Sequence, residues 1–272
     1  RFRFMKSPAP FSCFRVVLRV VLLLTVAGGA ALSAAAAPLK VLYLGDVTPT
    51  SHQSAARLRE MAPALIARGI QLVYTDDAKS ALTLDMLKRY DAFMLYGNIN
   101  RLDPAQEKAL LDYVTQGGGF VAVHSASACF GNSDAYIALV GARFKSHQTG
   151  TFRTRIAEPN HPVMQGFTGF ESWDETYVHD RHNTTNRTVL EYREDEPWTW
   201  VRTECKGRVF YTAWGHDQRT WTNGGVQDLR ELGCRESAGQ TLPASLSTTK
   251  MASVAPLQSD ELPADVKVPY NN

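Results

Sequence analysis

The stretch Gln116–Ser127, QGGGFVAVHSAS, is where the residue types of this chain first suggest chemistry. Glycines lead into a short apolar run, Phe120–Val123, which ends on His124 among the small residues Ser125, Ala126 and Ser127. Imidazole titrates near neutral pH, so a histidine with space around it suits proton transfer or metal ligation. A lone loop histidine is more simply read as bonded to a backbone carbonyl. This one has company: His147, His161, His179, His182 and His216 follow in polar or aromatic segments, with the carboxylates Asp174 and Glu175 between them. In a strand only one of two adjacent carboxylates faces a given side. There is no HExxH or CxxC spacing, so any metal would be assembled from separate segments.

Such groups need a scaffold. Lys40–Leu44, Ile70–Tyr74, Ala92–Tyr96 and Phe120–Val123 read as strands. Between them, Gln53–Arg68 is helical, with Ala55, Leu58, Ala62, Leu65 and Ile66 on one face, Gly69 closing it and Pro63 expected to kink or split it. Thr83 caps a short helix through Leu87. Asp103-Pro104-Ala105-Gln106 combines a cap, a proline at the first helical position and a reciprocal glutamine, starting a helix that runs to Gly117. Strands alternating with helices predict an α/β fold with a mainly parallel sheet covered on both faces. Ligands then bind beyond the carboxyl ends of the strands, where His124 falls. After His147 the texture changes. Thr151–Ile156, Val189–Tyr192, Trp198–Arg202 and Arg208–Ala213 predict an antiparallel extension of the sheet carrying long loops.

The ends read differently. Lys6, Arg15 and Arg19 after Met5, the apolar centre Val20–Val26 and the small residues Ser33–Ala37 predict a signal peptide over 1–37 and an exported protein, periplasmic or extracellular. Membrane contact is expected only through that leader if it stays uncleaved. Residues 38–237 suit one domain. The Ser-, Thr- and Pro-rich stretch 238–272 predicts a disordered linker or tail, as if a further domain followed. A net charge of +2, without a dense basic run, excludes nucleic acid as the expected partner. Nothing in the pattern specifies an oligomeric state. Beyond the leader's Cys13, Cys129, Cys205 and Cys234 allow one disulfide but no framework.

Five motifs in order carry a resemblance. GGGFVAVHSA, Gly141-Ala142-Arg143-Phe144 with His147, His161-Pro162-Val163, Asp174-Glu175-Thr176-Tyr177, and Gly207-Arg208-Val209-Phe210-Tyr211 before Gly215-His216 together resemble the trehalose-utilisation (ThuA-like) family over Lys40–Leu232. The resemblance implies a flavodoxin-like sheet related to class I glutamine amidotransferases. It also implies a small-molecule carbohydrate partner, trehalose-related or a 3-keto sugar. Two departures stand out. Amidotransferases place a nucleophilic cysteine in the turn that here holds His124, and Cys129 comes five residues later. The family's last helix is apolar, whereas Gly225–Ser237 carries charges along a thin apolar stripe.

The motif selects Glu175 over Asp174. The expected catalytic groups are His124, Glu175 and His216, with Ser125, His147, Tyr177 and Trp214 contacting substrate. The same His124, His147, Glu175 and His216 form an alternative ligand set for zinc or another divalent metal. Trp173, Tyr177, Trp214 and Trp221 are candidate platforms for sugar C–H faces, with Trp214 bordering the cleft and Trp198 and Trp200 in the core. His161 reads as a turn-shaping residue, and His179 and His182 as solvated. A carbohydrate-active enzyme is the first expectation. A catalytically inert sugar-binding module is the second. An amidotransferase-like hydrolase using Cys129 or Ser125 comes last, for want of the nucleophile turn.

Overall fold

The computed structural model describes residues 37–46, 52–243 and 246; the expected leader, apart from residue 37, and most of the expected tail lie outside them. Strands and helices are numbered along the chain. The four expected strands, β1 (Leu39–Leu44), β2 (Ile70–Thr75), β3 (Ala92–Leu95) and β4 (Gly119–Val123), are parallel neighbours in the order β2-β1-β3-β4. β3 and β4 are buried at every residue, which is why their sequences are apolar runs rather than alternating ones.

Arg208–Ala213 departs from expectation. β12 (Gly207–Thr212) lies beside β4 and runs parallel to it, so it is the fifth strand of the parallel core and not part of the antiparallel extension. Its burial resembles that of β1, because it too is covered on both faces. The antiparallel part begins one strand later, with β11 (Glu196–Glu204), β10 (Arg187–Arg193) and β7 (Arg155–Ile156). The expected strand Thr151–Ile156 also divides. β6 (Thr149–Arg153) leaves the main sheet to pair with β8 (Glu171–Glu175), and a further small ribbon joins β5 (Arg143–Ser146) to β9 (Val178–Asp180). These two ribbons position the loops at the site.

The helices pack on both faces. α4 (Pro104–Thr115) opens as expected: Pro104 occupies the first turn, and the Gln106 carbonyl accepts from the Asp103 N–H at 2.9 Å. Thr83 caps α3 (Leu84–Leu87) through the Met86 N–H. α1 (Ser54–Ala67) continues through Pro63 instead of splitting, since Met61, Ala62, Pro63, Ala64 and Leu65 are all buried and their packing offsets the lost backbone bond. Tyr136 of α5 (Asp134–Val140) meets Phe120 on one face of β4. On the other face, a Cβ at Gly119 would lie 2.3 Å from the Ser237 carbonyl oxygen of α7 (Gly224–Ser237), so only glycine admits that helix so close. α2 (Ala78–Ala81) and α6 (Gln218–Trp221) are single turns. Leu246 is also buried against the core.

The charged last helix does pack. Val226, Leu229, Leu232 and Cys234 of α7 are buried, and Arg68, just past α1, reaches Asp228 at 2.7 Å and Glu231 at 3.4 Å. Arg230 is buried too, with its guanidinium 3.6 Å from the Trp221 ring and none of its nitrogens hydrogen-bonded to the described residues. Burial pulls its pKa down to about 9. A buried charge without an acceptor is commonly outperformed by an apolar group of similar volume. Arg230→Met is therefore expected to hold or raise the midpoint of chemical denaturation. A loss of more than about 1 kcal/mol would show that the guanidinium stabilises the fold.

Candidate functional site

The parallel core has the strand order 2-1-3-4-5, with β12 as the fifth strand, and reverses direction between β1 and β3. Its carboxyl edge carries the candidate groups. His124 follows β4 directly, at the start of a 3-10 turn, His124–Ser127, and holds φ 49°. A non-glycine residue in that left-handed region costs on the order of 1 kcal/mol and persists only where its surroundings hold it. They do so here. The His124 carbonyl lies 3.1 Å from the Ser127 hydroxyl and 3.2 Å from the Tyr211 hydroxyl. Tyr177 stacks on the imidazole at 4.2 Å, and a Cβ at Gly215 would lie 3.0 Å from the His124 Cβ.

The His124 tautomer follows from its partners. Nδ1 lies 2.7 Å from the Ala213 carbonyl, which only accepts, so Nδ1 carries a proton and Nε2 is left facing the site. Glu175, at the end of β8, is the hub. Its oxygens lie 3.3 Å from His124 Nε2, 3.2 Å from His216 Nδ1 and 3.5 Å from His147 Nε2. Burial pushes the Glu175 carboxyl up, but the close approach of His124 and the electrostatic pull of His124, His216 and His147 outweigh it and hold the group below the usual carboxylate range. His216 is pulled down, chiefly by burial.

Asp174 has a different task. It is fully buried and accepts the backbone N–H groups of Gly215, His216 and Asp217 at 2.9, 3.0 and 3.1 Å, and that of Glu175 at 2.9 Å. One carboxylate thus fixes the loop that delivers His216, and its neighbour faces the histidines. Tyr96, just past β3, and Trp221 both donate to the Gly215 carbonyl, anchoring the same loop from the other side.

Of the sequence-derived set, His124, His147, Glu175 and His216 come together. Ser125 is wholly buried, and Tyr177 is buried between His124 and Phe144. Trp214 does not border the cleft as expected: it is fully buried, stacked on Phe152 at 4.4 Å and packed against Phe170 and Trp198. Trp221 is buried under Arg230, which leaves Trp173, half-buried beneath Arg219, as the candidate platform on the surface. Trp198 and Trp200 are core residues. His161 shapes its turn by accepting from the Val163 N–H. His179 is not solvated but buried between Glu196 (2.8 Å) and the Tyr211 hydroxyl (2.9 Å). Cys129, Cys205 and Cys234 are all free. Cys129 is buried, its thiol pushed up to about 12 by burial while it donates to the Gly97 carbonyl.

Sequence reasoning missed His52. It lies buried beyond β1, its ring centroid 5.4 Å from that of His124 and 5.3 Å from that of His216. Burial, then the neighbouring His124 and His216, lower its pKa to about 3, which keeps the ring neutral. The only hint in the sequence is general, that a loop following a parallel strand ends at the sheet's carboxyl edge; which loops become neighbours there is set by the strand order.

A five-stranded parallel core in flavodoxin-like order, with a His/Glu cluster at its carboxyl edge, defines an α/β protein of the flavodoxin-like type. Within that class the chain belongs to the ThuA family, described as trehalose utilisation, whose model matches residues 40–235. Solved structures agree on the fold. A ThuA-like protein from Bacteroides uniformis superposes with a TM-score of 0.61 at 20% identity, covering 76% of this chain and 94% of its own. One from Parabacteroides merdae gives 0.59 at 17% identity, covering 76% and 92%. The cytoplasmic protein STM3548 of Salmonella typhimurium gives 0.55 at 15% identity, covering 73% and 99%. No curated protein matches the chain.

Two outcomes follow from this geometry. Asp174→Ala orphans several buried N–H groups and is expected to destabilise the protein by roughly 3 kcal/mol or more in chemical denaturation; a loss under about 1 kcal/mol would mean that the loop holds itself. His179 is kept below its ordinary pKa chiefly by burial, against the opposing pull of Glu196. Below about pH 6.5 the unfolded chain therefore binds a proton that the folded His179 refuses, and stability falls as pH falls. Thermal midpoints between pH 7.5 and 5 should drop less steeply in His179→Gln than in the wild type. Parallel slopes would rule His179 out as the source.

Proposed function

We propose that this protein is an enzyme acting on a carbohydrate or sugar derivative, of the trehalose-related or 3-keto type, with His124, Glu175 and His216 as its reacting groups. The single observation that supports it is Glu175 within 3.5 Å of three imidazoles at the carboxyl edge of the sheet. Carboxylate and imidazole at such range can pass a proton between them, the requirement of general acid–base work. His147, the most exposed of the four, meets the substrate first. The family name, trehalose utilisation, supports the substrate class. The leader pattern of residues 5–37 supports export, with the sugar met outside the cytoplasm.

A hydrolase of the amidotransferase kind is disfavoured by a specific feature. Its candidate nucleophiles are Cys129, whose buried thiol is a poor source of thiolate, and Ser125, which is wholly buried. The competing sugar-binding module requires the same cleft without turnover.

The test is turnover of trehalose, glucosides and their 3-keto derivatives by the purified full chain. His124→Ala and Glu175→Gln are expected to lower kcat by about 10²–10⁴-fold while melting cooperatively. Cys129→Ser should leave kcat unchanged. Loss of activity in Cys129→Ser alone would restore the amidotransferase-like reading. Sugar-induced thermal shifts without turnover, equal in the wild type and Glu175→Gln, would establish the binding module.

A further inference from the structure

Three imidazoles, not one, converge on the floor of the site. The ring centroids of His52, His124 and His216 form a nearly equilateral triangle with sides of 5.4, 5.3 and 5.6 Å. One ring nitrogen from each lies within 4.8 Å of those of the other two. His52 and His124 are buried and His216 partly so, and the three arrive from separate segments, past β1, β4 and β12. We propose that His52, His124 and His216 form a binding site for a divalent transition-metal ion of the zinc class, with Glu175 beside the open coordination position.

The arrangement meets the requirements of such a site one by one. A zinc–nitrogen bond of roughly 2.0–2.1 Å places tetrahedral ligand atoms about 3.3–3.4 Å apart, within reach of the observed spread after small ring rotations. Metal-ligating histidines usually donate their other N–H to a carbonyl or carboxylate, which fixes the tautomer. His124 does this, giving Nδ1–H to Ala213 at 2.7 Å and presenting Nε2 inward. Nε2 of His124 and Nδ1 of His216 are buried and have no hydrogen-bond partner among the described residues. Their approaches to Glu175, 3.3 and 3.2 Å, bring the groups close without the alignment of a hydrogen bond. The backbone support is equally specific: Asp174 fixes the His216 loop, and the left-handed turn fixes His124.

Three nitrogen ligands leave one position for a water or a substrate oxygen, the pattern of a catalytic zinc. A cation there would polarise that oxygen, and Glu175 would accept its proton. His147, on the outer side of Glu175, is outside the ligand set. The metal assignment rests on the histidine geometry and is independent of the substrate proposed above; with an ion bound, His124 and His216 act as ligands and Glu175 alone takes the proton.

The test uses the full chain, stripped with chelator and then titrated with Zn²⁺ or Co²⁺ alone. The expected result is one ion per chain and a Co²⁺ spectrum with intense visible bands of tetrahedral character. His52→Gln and His216→Gln should weaken Zn²⁺ binding by at least the roughly 10–100-fold that loss of even an outer-shell partner costs. His147→Gln should retain the ion. Each variant is compared only after a cooperative melt shows that it is folded, and His52→Asn stands in if His52→Gln is not. Failure of the stripped wild type to take up either ion, or uptake unaffected by folded His52 and His216 variants, overturns the site. A stoichiometric ion in a protein inactive on every sugar would leave the metal site standing and remove the carbohydrate reading.

Discussion

The side chain on which the site most depends is the carboxylate of Asp174. It is buried, and instead of an ion pair it holds a fan of backbone N–H groups from Gly215, His216 and Asp217. Those groups belong to the loop leaving the last parallel strand, while Asp174 belongs to a ribbon outside the main sheet. The bonds therefore stitch the ribbon to the sheet edge at the one place where His216 must meet Glu175. Charge-assisted hydrogen bonds in a water-poor interior are among the stronger polar contacts, and each is expensive to leave unmade. Two adjacent acids thereby divide positioning from chemistry.

His124 depends on a second buried network. Glu196 bonds His179, His179 meets the Tyr211 hydroxyl, and that hydroxyl lies against Ser127 and the His124 carbonyl. The groups linked in this relay partner one another, so the strained turn is held by a connected network, which rigidifies a core more than its individual bonds suggest. Tyr211 comes from β12, and β12 pairs with β4, so backbone register and side-chain network set the same geometry. Placing β12 as a parallel strand matters here. An antiparallel strand would send its carboxyl end, and His216 with it, to the far edge of the sheet.

The legible part of the sequence was the part governed by local rules. Apolar runs, the Asp103–Gln106 start and the Thr83 cap each act within a few residues, and all appear as expected. The direction of β12 was not legible, because parallel or antiparallel pairing depends on where the preceding hairpin returns the chain. Trp214 failed for a related reason. A tryptophan next to Gly215-His216 reads as a cleft residue, yet adjacent residues in an extended segment face opposite ways, and the side away from the cleft was already lined by Phe152 and Trp198. His179 looked solvated because Asp180 and Arg181 follow it. In β9 its side chain turns inward, and Glu196 and Tyr211 satisfy it there.

His52 shows the limit most clearly. No spacing rule links it to His124 or His216, since the three are separated by long stretches of chain and share only a destination, the carboxyl ends of parallel strands. The Glu175 motif could be recognised in sequence, but the third imidazole emerges only once the β2-β1-β3-β4-β12 order places the loop after β1 beside the loops after β4 and β12. The same order explains why the residue at position 124 reaches the site whatever its type. The turn after β4 presents whatever side chain it carries to the sheet edge, and the surrounding loops decide what chemistry that side chain performs. Here those loops bring two more imidazoles and a carboxylate to the edge where His124 stands.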